Sequence, residues 1–373
     1  MGKAVLAVFS GTGNARRAAG IVMEELGAGG RPTEMVDLAA GERLPELGRG
    51  DLLVLCSCTL GFSVPATVMD AIKAAPRSDG AQVAALCICG GVMHRGRVIG
   101  GWSGAAAIAA LGILRRKGWE PVGSADASYP MNWTQMSGAA KGADQGAIIQ
   151  RGDGEAKAFG RVLASGGRVF LRRNLLTLTV VRSVGLMFRL VARRILGIMY
   201  IADDTCTSCA FCARVCPSRA IAMRGGRPLW TLRCTDCNRC INACPSASIQ
   251  TSTARLVLFA VLNLAAMVAS PPFAQFILRT SAPAFAEVGL VSFLAGSLLY
   301  IAVTLAQLGP LDALLRALER KPAFRRFFTA NFTKRYTRYL APGFKPPATL
   351  PTAAATPTAT APHASALDHS GRP

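Results

Sequence analysis

The sequence predicts three structural units in one chain: a doubly wound α/β domain with a parallel sheet, a small α+β unit rich in cysteine, and a C-terminal helical membrane hairpin. Three observations support this prediction. Apolar strand patterns alternate with helical patterns over residues 1–167, eight of the 12 cysteines lie between residues 206 and 244, and two long uncharged runs follow them. A chain of 373 residues is long enough for two to three domains.

Residues 1–167 form the predicted α/β domain. Strand patterns at 4–9, 51–56, 82–89 and, more weakly, 120–127 alternate with helical patterns at 14–26, 66–75, 103–117 and 154–165. Alternation at this spacing is typical of a parallel sheet with helices on both faces. Ligands of such domains bind at the carboxyl ends of the strands, so the loops that follow the strands are the first place to look for a site.

The charge of the chain is concentrated in two segments. Lysine and arginine number 42 against 21 acids, a net charge of +21, and residues 168–200 hold seven arginines and no acid. We interpret residues 168–200 as a basic amphipathic linker on an anionic membrane surface, with a solvated basic linker as the alternative. Residues 312–345 form a second basic segment, beside the apolar runs.

The basic stretches lack interleaved aromatics and nucleic-acid-binding motifs, so no nucleic acid partner is expected.

Residues 254–311 contain the predicted membrane hairpin. The runs 256–278 and 288–311 carry no charge, and each is long enough to cross a hydrocarbon core of about 30 Å. Pro271-Pro272 predicts that the first helix stops near Ser270, so a re-entrant or monotopic anchor and a pair of buried soluble helices remain alternatives. The basic segment 312–345 predicts that both ends of the hairpin face the cytoplasm. Residues 346–373, rich in proline, alanine and threonine, are predicted to be a disordered tail.

The cysteines of residues 201–253 form an internal duplication. Cys206-x2-Cys209-x2-Cys212-x3-Cys216-Pro217 recurs 28 residues later as Cys234-x2-Cys237-x2-Cys240-x3-Cys244-Pro245. In this spacing three thiolates bind one cubane and the fourth cysteine crosses to the other cluster. The pattern predicts two [4Fe-4S] clusters, one held by Cys206, Cys209, Cys212 and Cys244, and the other by Cys234, Cys237, Cys240 and Cys216. Paired zinc sites are the alternative, but the exact duplication and the prolines disfavour them. Residues 203–252 resemble bacterial two-cluster ferredoxins, which implies one-electron transfer.

The other four cysteines, Cys56, Cys58, Cys87 and Cys89, lie near the ends of two predicted strands. We interpret them as small buried residues, with a redox-active or metal-binding pair as the alternative. His94 follows the second of these strands, and we interpret it as an ordinary loop histidine, with a positive charge near a cofactor as the alternative.

A glycine-containing loop follows the first predicted strand. In Phe9-Ser10-Gly11-Thr12-Gly13-Asn14-Ala15, backbone N–H groups and short polar side chains stand where a helix begins, which favours a phosphate. A dinucleotide fingerprint is excluded because Arg16 stands where the third glycine belongs, and a P-loop is excluded because no Gly-Lys-Ser or Gly-Lys-Thr closes the loop.

This loop resembles the phosphate loop of flavodoxins, and the layout of residues 1–165 is similar to the same family. The resemblance implies an FMN site, with these candidate residues: Ser10, Gly11, Thr12, Gly13, Asn14, Ala15, Thr59, Leu60, Gly61, Phe62, Gly90, Gly91 and Trp133. Ala15 replaces a hydroxyl residue, and Leu60 and Cys89 occupy the positions of the flavin-stacking aromatics. Phe62, Trp102 or Trp133 is expected to take over that stacking role.

The order of the first three segments is similar to a prokaryotic family of flavodoxin–ferredoxin fusion proteins, with the hydrophobic hairpin added. We therefore predict a membrane-anchored electron-transfer protein on the cytoplasmic side of a prokaryotic plasma membrane, which couples FMN to two [4Fe-4S] clusters and exchanges electrons with redox protein partners. The alternative is a flavin-dependent iron–sulfur oxidoreductase that acts on a quinone or another lipophilic substrate. No catalytic residue can be assigned from the sequence.

Overall fold

The structure is a computed structural model that describes residues 2–172, 174–319 and 321–347. Its first unit begins with a six-stranded sheet and its helices. The elements, in chain order, are β1 Ala4–Phe9, α1 Asn14–Ala28, β2 Thr33–Asp37, β3 Leu52–Cys58, α2 Ala66–Ala74, β4 Gln82–His94, β5 Arg97–Ile99, α3 Ala106–Arg116, β6 Glu120–Pro130 and α4 Gly142–Ala164.

Five strands of this sheet are parallel and follow the order β2-β1-β3-β4-β6, while β5 pairs antiparallel with the end of β4. This is the flavodoxin-like order, whose binding crevice lies at the carboxyl ends near β1 and β3. The predicted α/β fold class is confirmed. The sequence patterns did not predict β2, because its residues Thr33-Glu-Met-Val-Asp37 are mostly polar. They also predicted that α4 begins at residue 154, whereas it begins at residue 142.

The sheet separates two hydrophobic cores. Helices α1 and α4 cover one face, where Leu26 and Phe159 are buried, and α2 and α3 cover the other, where Ile72 and Trp119 are buried. All six residues of β1 are buried, as expected for a central parallel strand with helices on both faces. The loops at the strand ends are thus held on a rigid frame.

Residues 175–198, inside the predicted basic linker, form one helical stretch. It consists of α5 Leu175–Met187, a π-helical turn Phe188–Ala192 and α6 Arg193–Ile198. Asn174 caps it, because its side-chain oxygen accepts a hydrogen bond from the Thr177 N–H at 2.7 Å. Although basic, this stretch is one of three in the described part of the chain that are long and apolar enough to cross a membrane, together with Thr253–Ser281 and Gly289–Glu319.

The cysteine-rich unit consists of two short hairpin-like pairs and two single-turn helices. Its elements are β7 Tyr200–Ala202, α7 Phe211–Arg214, β8 Ile221–Arg224, β9 Arg227–Trp230, α8 Arg239–Ala243 and β10 Ile249–Thr251, with β7 paired to β10 and β8 to β9. The duplication extends to the backbone. Left-handed conformations at Ser208, Ala210 and Arg219 recur 28 residues later at Asp236, Asn238 and Ala247.

The C-terminal hairpin is formed by two long helices, followed by two short ones. These are α9 Thr253–Ser281, a single turn α10 Pro283–Ala286, α11 Gly289–Ala306 with a π-helical turn Gln307–Leu311, α12 Asp312–Glu319 and α13 Pro322–Thr329. The prediction that the first helix stops near Ser270 is wrong, because α9 continues through Pro271 and Pro272. The Ser270 hydroxyl donates to the Ala266 carbonyl at 2.6 Å, and such local side-chain bonds help apolar helices to tolerate proline.

Gly296 of α11 provides the space that this proline-containing turn needs. A Cβ atom at Gly296 would lie 3.2 Å from the Cα atom of Pro271. We therefore expect Gly296→Leu to push α11 away from α9 and to lower the free energy of unfolding by about 1–3 kcal/mol. Thermal unfolding in detergent, followed by circular dichroism, measures this effect. Gly289→Leu is the matched control, since no described atom lies within 4 Å of a Cβ there. Equal losses in both variants would contradict the packing argument.

Residues 330–344, which we name the return segment, run from the hairpin back to the α/β domain. Thr333 bonds Thr251 and Gln250 of β10, and the Ala341 N–H donates to the Thr12 carbonyl at 2.8 Å. The basic segment 312–345 is therefore more than a juxtamembrane stretch, because its second half reaches the glycine loop. The predicted disordered tail lies outside the described residues from residue 348 onward.

Candidate functional site

The glycine loop connects β1 to α1 and is buried. Gly13 has a φ of 106°, a left-handed conformation that favours glycine, and its N–H donates to the Ser10 hydroxyl oxygen at 3.0 Å. The first N–H groups of α1 have no partner within the helix and form a positive pole. This arrangement can accept an anionic group at the start of α1.

Other parts of the chain hold the loop by using its oxygen atoms as acceptors. The Asn132 amide donates to the Thr12 hydroxyl oxygen, and the Tyr339 hydroxyl donates to Asn14 Oδ1 at 2.7 Å. Because a hydroxyl group both accepts and donates, Ser10 and Thr12 keep an O–H donor for a ligand. The loop is therefore fixed in place while its donors stay available for a phosphate.

A cavity of about 460 Å³ opens between this loop and the ends of the neighbouring strands, within the volume range of small-molecule sites. Eleven of the 13 predicted flavin residues line it: Ser10, Gly11, Thr12, Asn14, Ala15, Thr59, Leu60, Gly61, Phe62, Gly90 and Trp133. The other two predicted residues, Gly13 and Gly91, are not among those that line it. Gly13 packs against Phe344 of the return segment, and Gly91 packs against Ile148 of α4.

Aromatic side chains form part of the lining of the cavity. The rings of Phe62 and Trp102 lie 5.0 Å apart, and Trp102 and Trp133 are partly exposed at 42% and 38%. Leu60 and Cys89, which replace the usual stacking aromatics, line the same space. The residues fit FMN, since the aromatic side chains suit a flat apolar ring and the glycine loop suits a phosphate.

Several residues that the sequence did not place near the flavin site line the cavity as well. Phe188 reaches the cavity from the helix 175–198, and Asp236, Cys237 and Asn238 reach it from the cysteine-rich unit. Burial raises the pKa of the Asp236 carboxyl to about 7, against the opposing effect of hydrogen bonds from Tyr200 and Trp133. The cavity thus lies between the two units rather than within one of them.

The eight cysteines of the duplication form two groups in space. Cys206, Cys209, Cys212 and Cys244 line one small cavity, together with Phe211 and Ile249. Burial raises the pKa of the Cys212 thiol to about 12, and the nearby thiols of Cys244, Cys206 and Cys209 add to the shift. The second group consists of Cys234, Cys237, Cys240 and Cys216, whose thiols are close enough to interact electrostatically. Each group offers four thiols, the donor set that a [4Fe-4S] cluster requires.

Arg239 connects the second cysteine group to the glycine loop. Its side chain is buried and donates to the Ser10 carbonyl at 2.5 Å, the Gly11 carbonyl at 3.1 Å and the Val215 carbonyl at 2.9 Å. Burial raises the pKa of the Cys237 thiol, and the guanidinium group opposes that shift. A fixed positive charge therefore stands beside both the loop and the second predicted cluster.

Gly11 is a point of close contact between the two units. A Cβ atom there would lie 2.4 Å from the Cys237 carbonyl oxygen. We expect Gly11→Ala to force the loop and the Cys237 turn apart and to lower the free energy of unfolding by about 1–3 kcal/mol. Denaturant unfolding measures this effect. Gly112→Ala in α3, where no described atom lies within 4 Å of a Cβ, should be neutral or slightly stabilising. If both variants behave alike, the close approach does not exist.

The remaining sequence candidates are the four cysteines of β3 and β4 and His94, and of these Cys58 and Cys89 also line the cavity. Cys56, Cys87 and Cys89 are buried and Cys58 is half-buried, and burial raises the pKa of the Cys56 and Cys58 thiols to about 12. Such thiols are poor nucleophiles at neutral pH. His94 is exposed at the turn between β4 and β5, where it pairs with Arg97, and it is not among the residues that line the cavity.

Residues 198–245 match the family model of the 4Fe-4S dicluster domain. Among curated proteins, no sequence matches this chain. Similar solved structures include a flavodoxin from the domain Archaea, with 15% identity over 44% of this chain and 98% of that one and a TM-score of 0.27. The Megasphaera elsdenii flavodoxin has 15% identity over 43% of this chain and 98% of that one, with a TM-score of 0.28. An azoreductase from Bacillus anthracis str. Sterne has 13% identity over 43% of this chain and 99% of that one, with a TM-score of 0.28.

The strand order β2-β1-β3-β4-β6 identifies the flavodoxin-like fold of the first unit. The second unit combines the duplicated cysteines with the matched family model. The chain therefore joins a flavodoxin-like domain, a 4Fe-4S dicluster domain and long apolar helices in one polypeptide.

Proposed function

We propose that this chain is a membrane-anchored electron-transfer protein in which FMN exchanges electrons with two [4Fe-4S] clusters. One observation carries the proposal: Cys237, a predicted ligand of the second cluster, lines the same cavity as the glycine loop. When bound, FMN supplies conversion between two-electron and one-electron transfer, which an iron–sulfur cluster alone lacks. The shared cavity would bring the two cofactors close enough for direct exchange.

The side chains around this cavity have separate roles in the proposal. Ser10, Thr12 and the first N–H groups of α1 would bind the phosphate, and Trp102 and Trp133 would cover the ring. Arg239 would position the loop against the second cluster and balance part of the negative charge that four thiolates bring. The role proposed for these side chains is to hold the cofactors in position for electron transfer.

The apolar helices support the membrane anchor. Large side chains on the hairpin surface are exposed, among them Leu264, Phe276, Phe293 and Leu298 at 58–70%. Inside the hairpin, the amide of Asn263 donates to Gln307 Oε1 at 3.0 Å and its carbonyl oxygen accepts from Thr304 at 3.3 Å, so this polar group is satisfied between the helices. The basic segment beside the hairpin base favours the cytoplasmic face and an anionic membrane surface as a partner.

Anaerobic purification from membranes, with iron, acid-labile sulfide and flavin quantified in one sample, tests the proposal. We expect about eight irons and about one FMN per chain. Eight irons without flavin would refute the flavin half of the proposal, and protein found only in the soluble fraction would refute the anchor.

A quinone or lipophilic substrate is the second candidate function, and the position of the hairpin base favours it. Phe259 of α9 and Leu308 pack with Ile198 and Ile201 beside the cysteine-rich unit, so a cluster would lie near the bilayer edge. This candidate predicts steady turnover of a soluble quinone analogue by the isolated holoprotein. The carrier role predicts electron exchange only when redox protein partners are supplied.

A further inference from the structure

A second large cavity, of about 480 Å³, lies where the cysteine-rich unit meets the foot of the hairpin. Its walls come from β7, β8 and β9 on one side and from α9, α12 and α13 on the other. The uncharged run of α9 begins at Leu256, directly after Arg255, which lines this cavity. If the hairpin crosses the bilayer, as proposed above, the cavity stands at the level of the lipid headgroups.

Arginine dominates the polar lining of this cavity. Five arginines line it: Arg224, Arg227, Arg255, Arg316 and Arg325. The carboxylates that face them are Glu319 of the lining, Asp312, which pairs with Arg255 and Arg316, and Asp204, which pairs with Arg227 and Arg325. Five positive against three negative charges leave a surplus of two, which favours an anionic ligand.

Arg255 gives the cavity a built polar site. Its side chain is 3% exposed and donates to the Ile198 carbonyl, Asp312 and Glu319 at 3.0, 2.9 and 2.6 Å. Its Nε atom is buried and has no hydrogen-bond partner among the described residues. A buried donor of a charged group is costly to leave unpaired, so this atom is a candidate contact for a ligand oxygen.

Most of the remaining lining is apolar or aromatic, with Ile198, Leu229 and Trp230 among its larger side chains, and Thr329 adds a hydroxyl group. A free inorganic ion gains little from such a wall, whereas the glycerol and the first methylenes of a lipid would cover it. The guanidinium group suits a phosphate because it presents paired N–H donors to two oxygens.

We propose that this cavity is a specific site for the phosphate headgroup of an anionic phospholipid. The site rests on the membrane anchor of the proposed function but not on the flavin. A bound lipid would join the cysteine-rich unit to the foot of the hairpin, since its phosphate would contact arginines from both.

Native mass spectrometry of the detergent-solubilised holoprotein, titrated with phosphatidylglycerol, tests this proposal. We expect one tightly held phosphatidylglycerol per chain. Arg224→Gln combined with Arg316→Gln should weaken the binding of phosphatidylglycerol at least about tenfold, since each substitution removes a charged contact to the phosphate. Arg326→Gln combined with Arg335→Gln is the matched control, because both side chains are exposed, carry the same charge and are not among the cavity's lining residues.

Three outcomes would overturn the site. The first is an equal loss of phosphatidylglycerol binding in the two double variants, and the second is an affinity for phosphatidylcholine equal to that for phosphatidylglycerol. The third is displacement of the lipid by inorganic phosphate alone, which would identify a free phosphate as the ligand. The iron content of every variant shows whether its fold is intact. The double variant Arg224→Lys with Arg316→Lys keeps both positive charges, so it should retain part of the affinity for phosphatidylglycerol. Protein that fractionates with membranes but ignores phosphatidylglycerol refutes this site alone, whereas a soluble protein refutes the anchor.

Discussion

Replacement of Arg239 by methionine should lower the free energy of unfolding of the holoprotein by about 3 kcal/mol. The guanidinium group is 1% exposed and donates to three backbone carbonyls, those of Ser10, Gly11 and Val215. Methionine would fill the space but leave these buried acceptors without a donor. The loss should also free the glycine loop from the second cysteine group, so we expect flavin to bind about tenfold more weakly.

Anaerobic urea unfolding, followed by the visible absorbance of the clusters, measures the stability change. Arg233→Met is the matched control, since Arg233 is exposed on the same unit and its loss should cost less than about 0.5 kcal/mol. Arg239→Lys should give an intermediate loss, because a single ammonium group replaces the fork of donors. An Arg239→Met protein as stable as the control would show that the two units are not joined at this residue.

Cys237→Ala should reduce the iron content from about eight to about four atoms per chain. Cys237 is a predicted ligand of the second cluster and lies against the flavin cavity. Loss of that cluster should leave the first group of Cys206, Cys209, Cys212 and Cys244 intact but break the path between flavin and clusters. We therefore expect flavin to stay bound while electrons introduced at the flavin no longer reach the first cluster.

Cys56→Ala is the control for this experiment. Cys56 is a buried cysteine that lies inside β3 and outside both cysteine groups. Its iron content should stay at about eight atoms per chain. Retention of all iron in Cys237→Ala, or the same loss in Cys56→Ala, would contradict the assignment of the second cluster.

Local patterns in the sequence predicted much of this structure. The 28-residue repeat predicted two groups of four cysteines, and the backbone repeats it at Ser208 and Asp236 as well. The loop Ser10–Ala15 was predicted because a strand, a glycine turn and a helix start are all local features. Both patterns depend on residues that are close in sequence, which is why spacing alone reveals them.

Contacts between distant parts of the chain were not predictable in the same way. Arg239 looks like any arginine before a cysteine, and only the fold shows its bonds to Ser10 and Gly11. Pro271 predicted a helix end because the sequence does not show that Gly296 of the neighbouring helix leaves room for it. The stacking role of Phe62, Trp102 or Trp133 was expected from the sequence, but only the fold brings the loops of Phe62 and Trp102 together, so that their rings lie 5.0 Å apart.

The return segment is another contact that no local pattern reveals. Tyr339 bonds Asn14, and Phe344 covers Gly13, so a stretch that follows the hairpin closes the far side of the glycine loop. The residues that line or support the proposed flavin site therefore come from four parts of the chain: the α/β domain, the helix 175–198, the cysteine-rich unit and the return segment. A change in any one of them should alter flavin binding.

The central claim is that flavin and the second cluster share one cavity, and electron paramagnetic resonance of a partly reduced, anaerobic sample tests it most directly. If Cys237 lines the flavin cavity, the signal of the one-electron-reduced flavin should relax fast and be broadened by the reduced cluster beside it. Cys237→Ala should restore a narrow, slowly relaxing signal. A narrow, slowly relaxing flavin signal in the unmodified protein with both clusters reduced would contradict the account.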